Sequence, residues 1–406
     1  LSAFEIPALQ IDPHTLPPPI LTSEPDSFAQ RTFKVRIPRI IEETVELNFF
    51  PSQVCIALEK LRTEILDGSI RGLSEATADQ TFWDRISRPY LGQSWLDVPW
   101  YWAEAFFYRR ILEATHYFKP PEATPLRSFD PYSNIKQTEW EPHAAPRSVN
   151  SLLEGLPTEP QARFQRLLHA SLWGNRTDLS YNVAEQVERA ARIEDERSNL
   201  LVDDSEHVWE YLCAQPRRHL VIITDNVGTE LLADLALADF MLARGLITRI
   251  DLHLKPQPFF VSDAMANDVV VGLNALAAGG DAARSLGERL QVHLQNKRLR
   301  VRTHWFYATS LFYFQLPADL HTDLGRNDLV ILKGDVNYRR LLGDAHWPPT
   351  TPFRQPTAYF PAPLVALRTL KAELIVGLAL GQAQQLYGQD PSWQVNGQRG
   401  LVQGRL

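Results

Sequence analysis

The chain has 406 residues, 44% hydrophobic and 22% charged, with a formal net charge of -7. That length exceeds one ordinary core and predicts two domains. The acidic balance, with pI about 5.9, argues against a broadly cationic nucleic-acid or membrane-surface binder.

Two cysteines, Cys55 and Cys213, lie far apart without CxxC spacing, which argues against a disulfide framework or a structural zinc site and suits the reducing cytoplasm. No apolar run approaches the roughly 18 residues of a membrane span. The first residues lack the charged and apolar regions of a signal peptide. The expectation is a cytoplasmic protein with no nucleic-acid or membrane partner.

Residues 1–27 hold six prolines, five of them within IPALQIDPHTLPPP, and read as an extended surface leader. From Phe28 to about Phe118 apolar residues recur every three or four positions, a helical pattern. An aromatic-rich helix contains Trp100, Trp102, Phe106, Phe107 and Tyr108, which suit core packing. Arg109 and Arg110 come next; a paired arginine clamps phosphate bidentately when it borders a cleft, and otherwise lies on a solvated face. Residues 119–149 are rich in Pro, Ser and Asn and predict a long loop. Helix returns in SLLEGLPTEPQARFQRLLHASLWGNRTDLS and ends in a polar turn, Trp173 to Asp178. A charged segment, 182–204, leads to a short helix, EHVWEYLCAQ. The change of domain falls here, giving a helical domain 28–205 and an α/β domain 206–406.

From His219 apolar runs of four to six residues alternate with amphipathic helices, the pattern of a parallel sheet with crossovers. Strands are predicted at 220–224, 248–254, 299–305, 328–332 and 363–367. In HLVIITDNVGTELLADLALADFML, a strand gives way to the turn Thr224 to Gly228 and a helix from Thr229 to Ala243, with Gly245 as its stop. Open α/β sheets hold ligands at the edge where such turns gather.

The residues directly after the apolar runs carry the chemistry. Asp225 and Asn226 come after the first run, Asp263 after the second, Gly334, Asp335, Asn337 and Tyr338 after the fourth, and Arg368, Thr369 and Lys371 after the fifth. Right-handed crossovers bring these ends to one edge. Asp225 and Asn226 are hard oxygen donors suited to a divalent cation. Carboxylates facing cations are what metal-assisted phosphoryl transfer needs. Each piece also has an ordinary use: an Asp after a strand caps a helix, a Gly-Asp pair makes a turn, and basic residues decorate surfaces. His207, His253, His304, His321 and His346 show no HxH or HExxH spacing and read as structural. Walker A, GxGxxG and GxSxG motifs are absent. GLNALAAGGDAARSLG lacks strand-turn-helix register, and Val227 stands where a haloacid dehalogenase has its second acid.

TDNVGTELLADLALADFML, FFVSDAMANDV, VILKGDVNYRRLLGD and LRTLKAELIVGL, with SLWGNRTDLS and YRRILEA, resemble the damage-control phosphatase family, formerly domain of unknown function 89. The Arg-Thr-x-Lys signature of one subfamily falls on Arg368, Thr369 and Lys371. The resemblance spans residues 30–395. It implies a helical N-terminal region, a three-layer α/β/α domain with a mainly parallel sheet, and a divalent-metal-dependent phosphatase (Mn, Co, Ni or Mg) acting on small phosphorylated metabolites such as fructose 1-phosphate. By the resemblance, Asp225, Asn226 and Asp263 are metal ligands and Glu230 contacts substrate. Gly334, Asp335, Val336, Asn337 and Tyr338 line the pocket with Asp335 close to the metal, and Arg368 and Lys371 hold phosphate or sugar. Many members have Ala or Ser where this chain has Val227. Attack by metal-activated water, aided by Asp335 and Lys371, and attack by a carboxylate such as Asp225 both remain open. The competing functions are S-adenosylmethionine-dependent carboxyl methyl transfer and a non-catalytic sugar-phosphate or protein-binding module. Oligomeric state is not written in the sequence.

Overall fold

The structure, a computed structural model, describes residues 6–119, 126, 128–140, 144–174, 197–214 and 217–406. Its centre is a seven-stranded sheet: β1 (Leu200–Asp203), β2 (Arg217–Ile223), β3 (Ile247–Leu254), β4 (Leu299–Thr303), β5 (Leu329–Lys333), β6 (Leu364–Thr369) and β7 (Gly400–Arg405). The strand order is β1-β7-β6-β5-β2-β3-β4. All neighbours run parallel except β6 and β7.

The central strands are continuous apolar runs because both faces of the sheet are covered. Leu220 and Ile222 of β2, Leu329 and Ile331 of β5, and Val365 and Leu367 of β6 enter one core. Their alternates, Val221, Ile223, Val330, Leu332, Leu364 and Ala366, enter the other. The first core is closed by helices Ala144–Glu154, Pro160–Trp173, Thr229–Ala243, Ala266–Ala277 and Asp281–Gln295. The second is closed by Ile37–Glu46, Ser52–Asp67, Trp100–Ala114 and Gly334–Leu342. The result is the expected three-layer α/β/α architecture.

Connections run β2, β3, β4 in one direction. The chain then returns to lay β5 and β6 on the other side of β2. The β2/β5 pair is therefore where the strand order reverses, the crevice at which open α/β sheets bind ligands.

Several expectations change. The short strands β1 and β7 escape the sequence pattern: LLVD and GLVQGR carry too few apolar residues to stand out, and pairing in the sheet makes them strands. Because β1 joins the sheet and helices Ala144–Glu154 and Pro160–Trp173 share its core, packing continues across the expected boundary at 205/206. The expected loop 119–149 contains the helix Ser133–Glu139 and the start of Ala144–Glu154; residues 120–125, 127 and 141–143 lie outside the described residues. So do 175–196, which hold Asn175 to Asp178 and part of the charged segment. Of the expected leader, residues 6–27 are described; they include a 3-10 turn, Pro13–Thr15, and lie on the body through bridges Pro19 to Ala345 and Leu21 to Pro99.

The aromatics of Trp100–Ala114 are core, as expected. Arg109 and Arg110 are neither solvated nor phosphate clamps. Both are buried, Arg109 held by Asp79 at 2.7 Å and Arg110 by Glu64 at 2.7 Å. His253 bonds Tyr307 at 2.6 Å and His346 bonds Glu24 at 2.7 Å, within the fold. Among the described residues no helix is long and apolar enough to cross a membrane.

One buried cation ties three elements beneath the edge. Lys333, the last residue of β5, lies 2.8 Å from Glu230 and 2.9 Å from Asp234 of Thr229–Ala243, and donates to the Ser171 carbonyl at 2.5 Å. Its ammonium is held above the ordinary lysine value because these two carboxylates outweigh the cost of its burial. Replacing it leaves two buried carboxylates without a counter-charge. Lys333→Met is expected to lower unfolding free energy by roughly 3–5 kcal/mol, read as a lower urea midpoint at unchanged slope.

Candidate active site

The turns after β2 and β3 are stitched together. Thr224 N–H donates to the His253 carbonyl at 3.1 Å, Val227 N–H to Ser262 at 2.9 Å, and Ala264 N–H to Asp225 at 2.8 Å. Asn226 and Asp263 form an antiparallel bridge. The second turn is strained: Phe260 and Val261 have φ of 45° and 62°, and a β-branched residue in that region is costly and gathers at functional sites. Its effect is to set Ser262 and Asp263 beside Asn226.

Side chains complete the link. Asn226 Nδ2 donates to Asp225 Oδ2 at 2.7 Å and to Glu230 Oε2 at 2.9 Å, while its Oδ1 accepts from Ser262 Oγ at 2.6 Å. Lys333 anchors the other oxygen of Glu230. Asn226 thus has one orientation, fixed from β5 through Glu230.

Gly334 comes directly after β5 with φ 87°, and a Cβ built there would lie 2.0 Å from Asp225 Oδ2. The Asp225 carboxylate rests against the glycine Cα, so this position has no room for a side chain. Asp335 then points at the turn after β6. Its Oδ1 accepts from Arg368 at 2.7 Å and from the Lys371 backbone N–H at 3.0 Å. Arg368 also donates to the Leu374 and Ala372 carbonyls and lies over the Tyr338 ring, 4.4 Å from its centroid. Its donors are consumed in shaping the turn that presents Lys371.

These elements enclose a cavity of about 180 Å³. Asp225, Asn226, Ser262, Asp263, Asp335 and Lys371 line it from the strand ends. Phe28, Arg36, Trp100, Glu104 and Arg339 line it from elsewhere. Asp225 is held well above the usual carboxylate range by burial and by the charges of Glu230 and Asp263, against Lys255 and Lys371. Asp263 is raised by burial and opposed chiefly by Lys255, whose Nζ lies 3.2 Å away.

Of the expected site residues, Asp225, Asn226, Asp263, Asp335, Val336 and Lys371 meet at this cavity. Five others stand behind it. Glu230 orients Asn226, and Gly334 makes room for Asp225. Asn337 accepts from Tyr313 at 2.9 Å and donates to the Lys333 carbonyl at 2.8 Å. Tyr338 donates to Gln403 at 2.8 Å. Arg368, expected on phosphate or sugar, is instead fully buried on its own partners. Val227 is buried in the apolar core and does not line the cavity.

Sequence reasoning missed Arg36, Glu104, Ser262 and Arg339. Glu104 had a signal: it is an acid inside the apolar run WYWAEAFFY. Among the described residues no group of three or more His, Cys, Asp or Glu is placed to hold a metal ion. The expected ligand set is two carboxylates and an amide. Asp225 and Asp263 are hard oxygen donors whose charges disfavour each other in a buried place, and a divalent cation would relieve that. These residues fit such a group.

The model of the damage-control phosphatase ARMT1-like domain matches residues 32–386. The damage-control phosphatase ARMT1 of Danio rerio is 33% identical, covering 96% of this chain and 97% of that protein. The Homo sapiens protein of the same name is 30% identical over 93% and 96%. A DUF89 family protein from Pyrococcus horikoshii shares the fold, with a TM-score of 0.50 at 12% identity, covering 93% of this chain and 98% of that one. With the motifs of four strand ends falling within the matched segment, the chain belongs to the damage-control phosphatase ARMT1-like family.

Proposed function

We propose that this protein is a metal-dependent phosphatase of small phosphorylated metabolites, with sugar phosphates as its substrate class. The observation that carries the reading is the pair of buried carboxylates, Asp225 and Asp263, sharing one cavity with Lys371. The family relationship supports the phosphatase class.

Asp225, Asn226 and Asp263 would hold the cation. The chemistry supplied by a divalent ion at such a site is neutralisation of phosphoryl oxygens and activation of water. Lys371 faces the same space and donates to a phosphoryl oxygen, stabilising the charge that builds in the transition state. Both bonds to Asp335 fall on Oδ1, which leaves Oδ2 to orient water or take its proton. The turn after β2 offers oxygen donors and a single glycine, Gly228, rather than the glycine-rich loop of a methyltransferase.

A phosphate-release screen over sugar phosphates with Mg, Mn, Co and Ni tests this. Wild type is expected to release phosphate from fructose 1-phosphate only with a divalent ion, and Asp263→Asn to lose about a hundredfold or more in kcat. A wild type no faster than Asp263→Asn with every pair of ester and metal would overturn the enzyme reading. A rate untouched by chelator would remove the metal.

Gly334→Ala probes the close approach. Its added methyl must displace the Asp225 carboxylate, so activity is expected to fall by about two orders of magnitude. Circular dichroism should still report a folded chain, and an unchanged rate would show that Asp225 need not stand where it does.

A further inference from the structure

The cavity has two walls of different origin. The strand-end wall carries Asp225, Asn226, Asp263 and Lys371, while the opposite wall comes from the N-terminal region with Phe28, Arg36, Trp100 and Glu104. The phosphatase reading uses only the first.

The second wall is held as firmly as the first. Glu104 is buried, and its Oε2 accepts from Arg339 at 2.6 Å. Arg339 cannot move: Asp344 holds it at 2.7 and 2.9 Å, and its guanidinium lies 3.5 Å from the centre of the Trp100 ring. Asp344 is itself fixed by the Tyr101 N–H at 3.0 Å. Glu104 is thus clamped through one oxygen, with Oε1 left for a ligand.

Arg36 ends a π-helical turn, Thr32–Arg36, a distortion that recurs at functional sites. Its side chain is exposed, lines the cavity, and has no hydrogen bond or ion pair with a described residue. Burial raises Glu104 above the usual carboxylate range, and the nearby charges of Arg339 and Arg36 oppose that rise.

The charges decide what this wall recognises. Glu104 and Asp344 balance Arg339 and Arg36. The wall therefore offers hydrogen bonds with little net field, which does not suit a second phosphate. It presents a fixed acceptor, a free fork of donors and the half-buried ring of Phe28, with the edge of Trp100 behind it. Neighbouring hydroxyls donate to a carboxylate and accept from a guanidinium, while the C–H face of a polyol packs on aromatic rings.

We propose that Glu104 and Arg36 form a hydroxyl-reading subsite that selects phosphorylated polyols over phosphate esters without hydroxyls. The proposal rests on the phosphatase reading for the placement of phosphate at the strand-end wall.

The test compares fructose 1-phosphate with phenyl phosphate in wild type, Glu104→Gln and Arg36→Gln, by turnover and by calorimetric binding. In each variant the ratio of kcat/KM for the sugar phosphate over phenyl phosphate should fall roughly ten- to hundredfold, since each removes a hydrogen bond to a charged group. Equal losses on both esters would place these residues on the phosphate, and an unchanged ratio would place them outside recognition; either result overturns the subsite. Arg36 is exposed, so Arg36→Gln decides if Glu104→Gln does not fold. If wild type turns over neither ester, the phosphatase reading falls alone. The binding ratio then decides the subsite.

Discussion

Asp225 stands at the end of β2 only because position 334, at the end of the neighbouring strand, has no side chain. The carboxylate rests on the Gly334 backbone so closely that a methyl group would overlap it. That contact sits at the parallel strand pair where the strand order reverses. The crevice is therefore floored by one residue's absence of volume, and the strand-end carboxylates and amide are placed relative to it. Asn226 bonds to Asp225, Asp263 bridges to Asn226, and Asp335 is the next residue after Gly334.

Around this floor the protein uses buried ion pairs as fixtures. Lys333 with Glu230 and Asp234, Arg368 with Asp335, and Arg339 with Glu104 and Asp344 are all nearly inaccessible. Burying such pairs gains little net stability, because desolvation offsets most of the attraction. What they supply is geometry. Asp335 is held by Arg368, and Arg339 by Asp344, partners that do not themselves line the cavity, the arrangement that preorganised sites require.

The same logic separates the two halves of the site. The strand-end half is anionic and strained, with Val261 in left-handed backbone and Asp225 and Asp263 pushed above their ordinary range. The N-terminal half is balanced in charge and anchored on Trp100. The two halves come from different parts of the chain, brought together because helix Trp100–Ala114 shares a core with the sheet and sets Tyr101 and Tyr108 against Phe260.

Much was legible from local pattern. Apolar runs marked β2 to β6, and the polar residues close after them marked Asp225, Asn226, Asp335 and Lys371, because a strand end and the residues it delivers are adjacent in sequence; Asp263, nine residues beyond β3, is returned to the edge by the turn that bridges to Asn226. The aromatic helix was legible as core for the same local reason. What the chain could not disclose by itself were relations between distant segments. Whether Arg368 meets a ligand or a backbone turn depends on where Leu374 and Asp335 lie, and the structure spends it on them. β1 and β7 exist only through their pairing, and Arg36 and Glu104 reach the site only through helix packing. A side chain's type and local setting are written in sequence; which of its hydrogen-bonding groups remain unspent is decided by the tertiary fold, because its partners come from elsewhere in the chain.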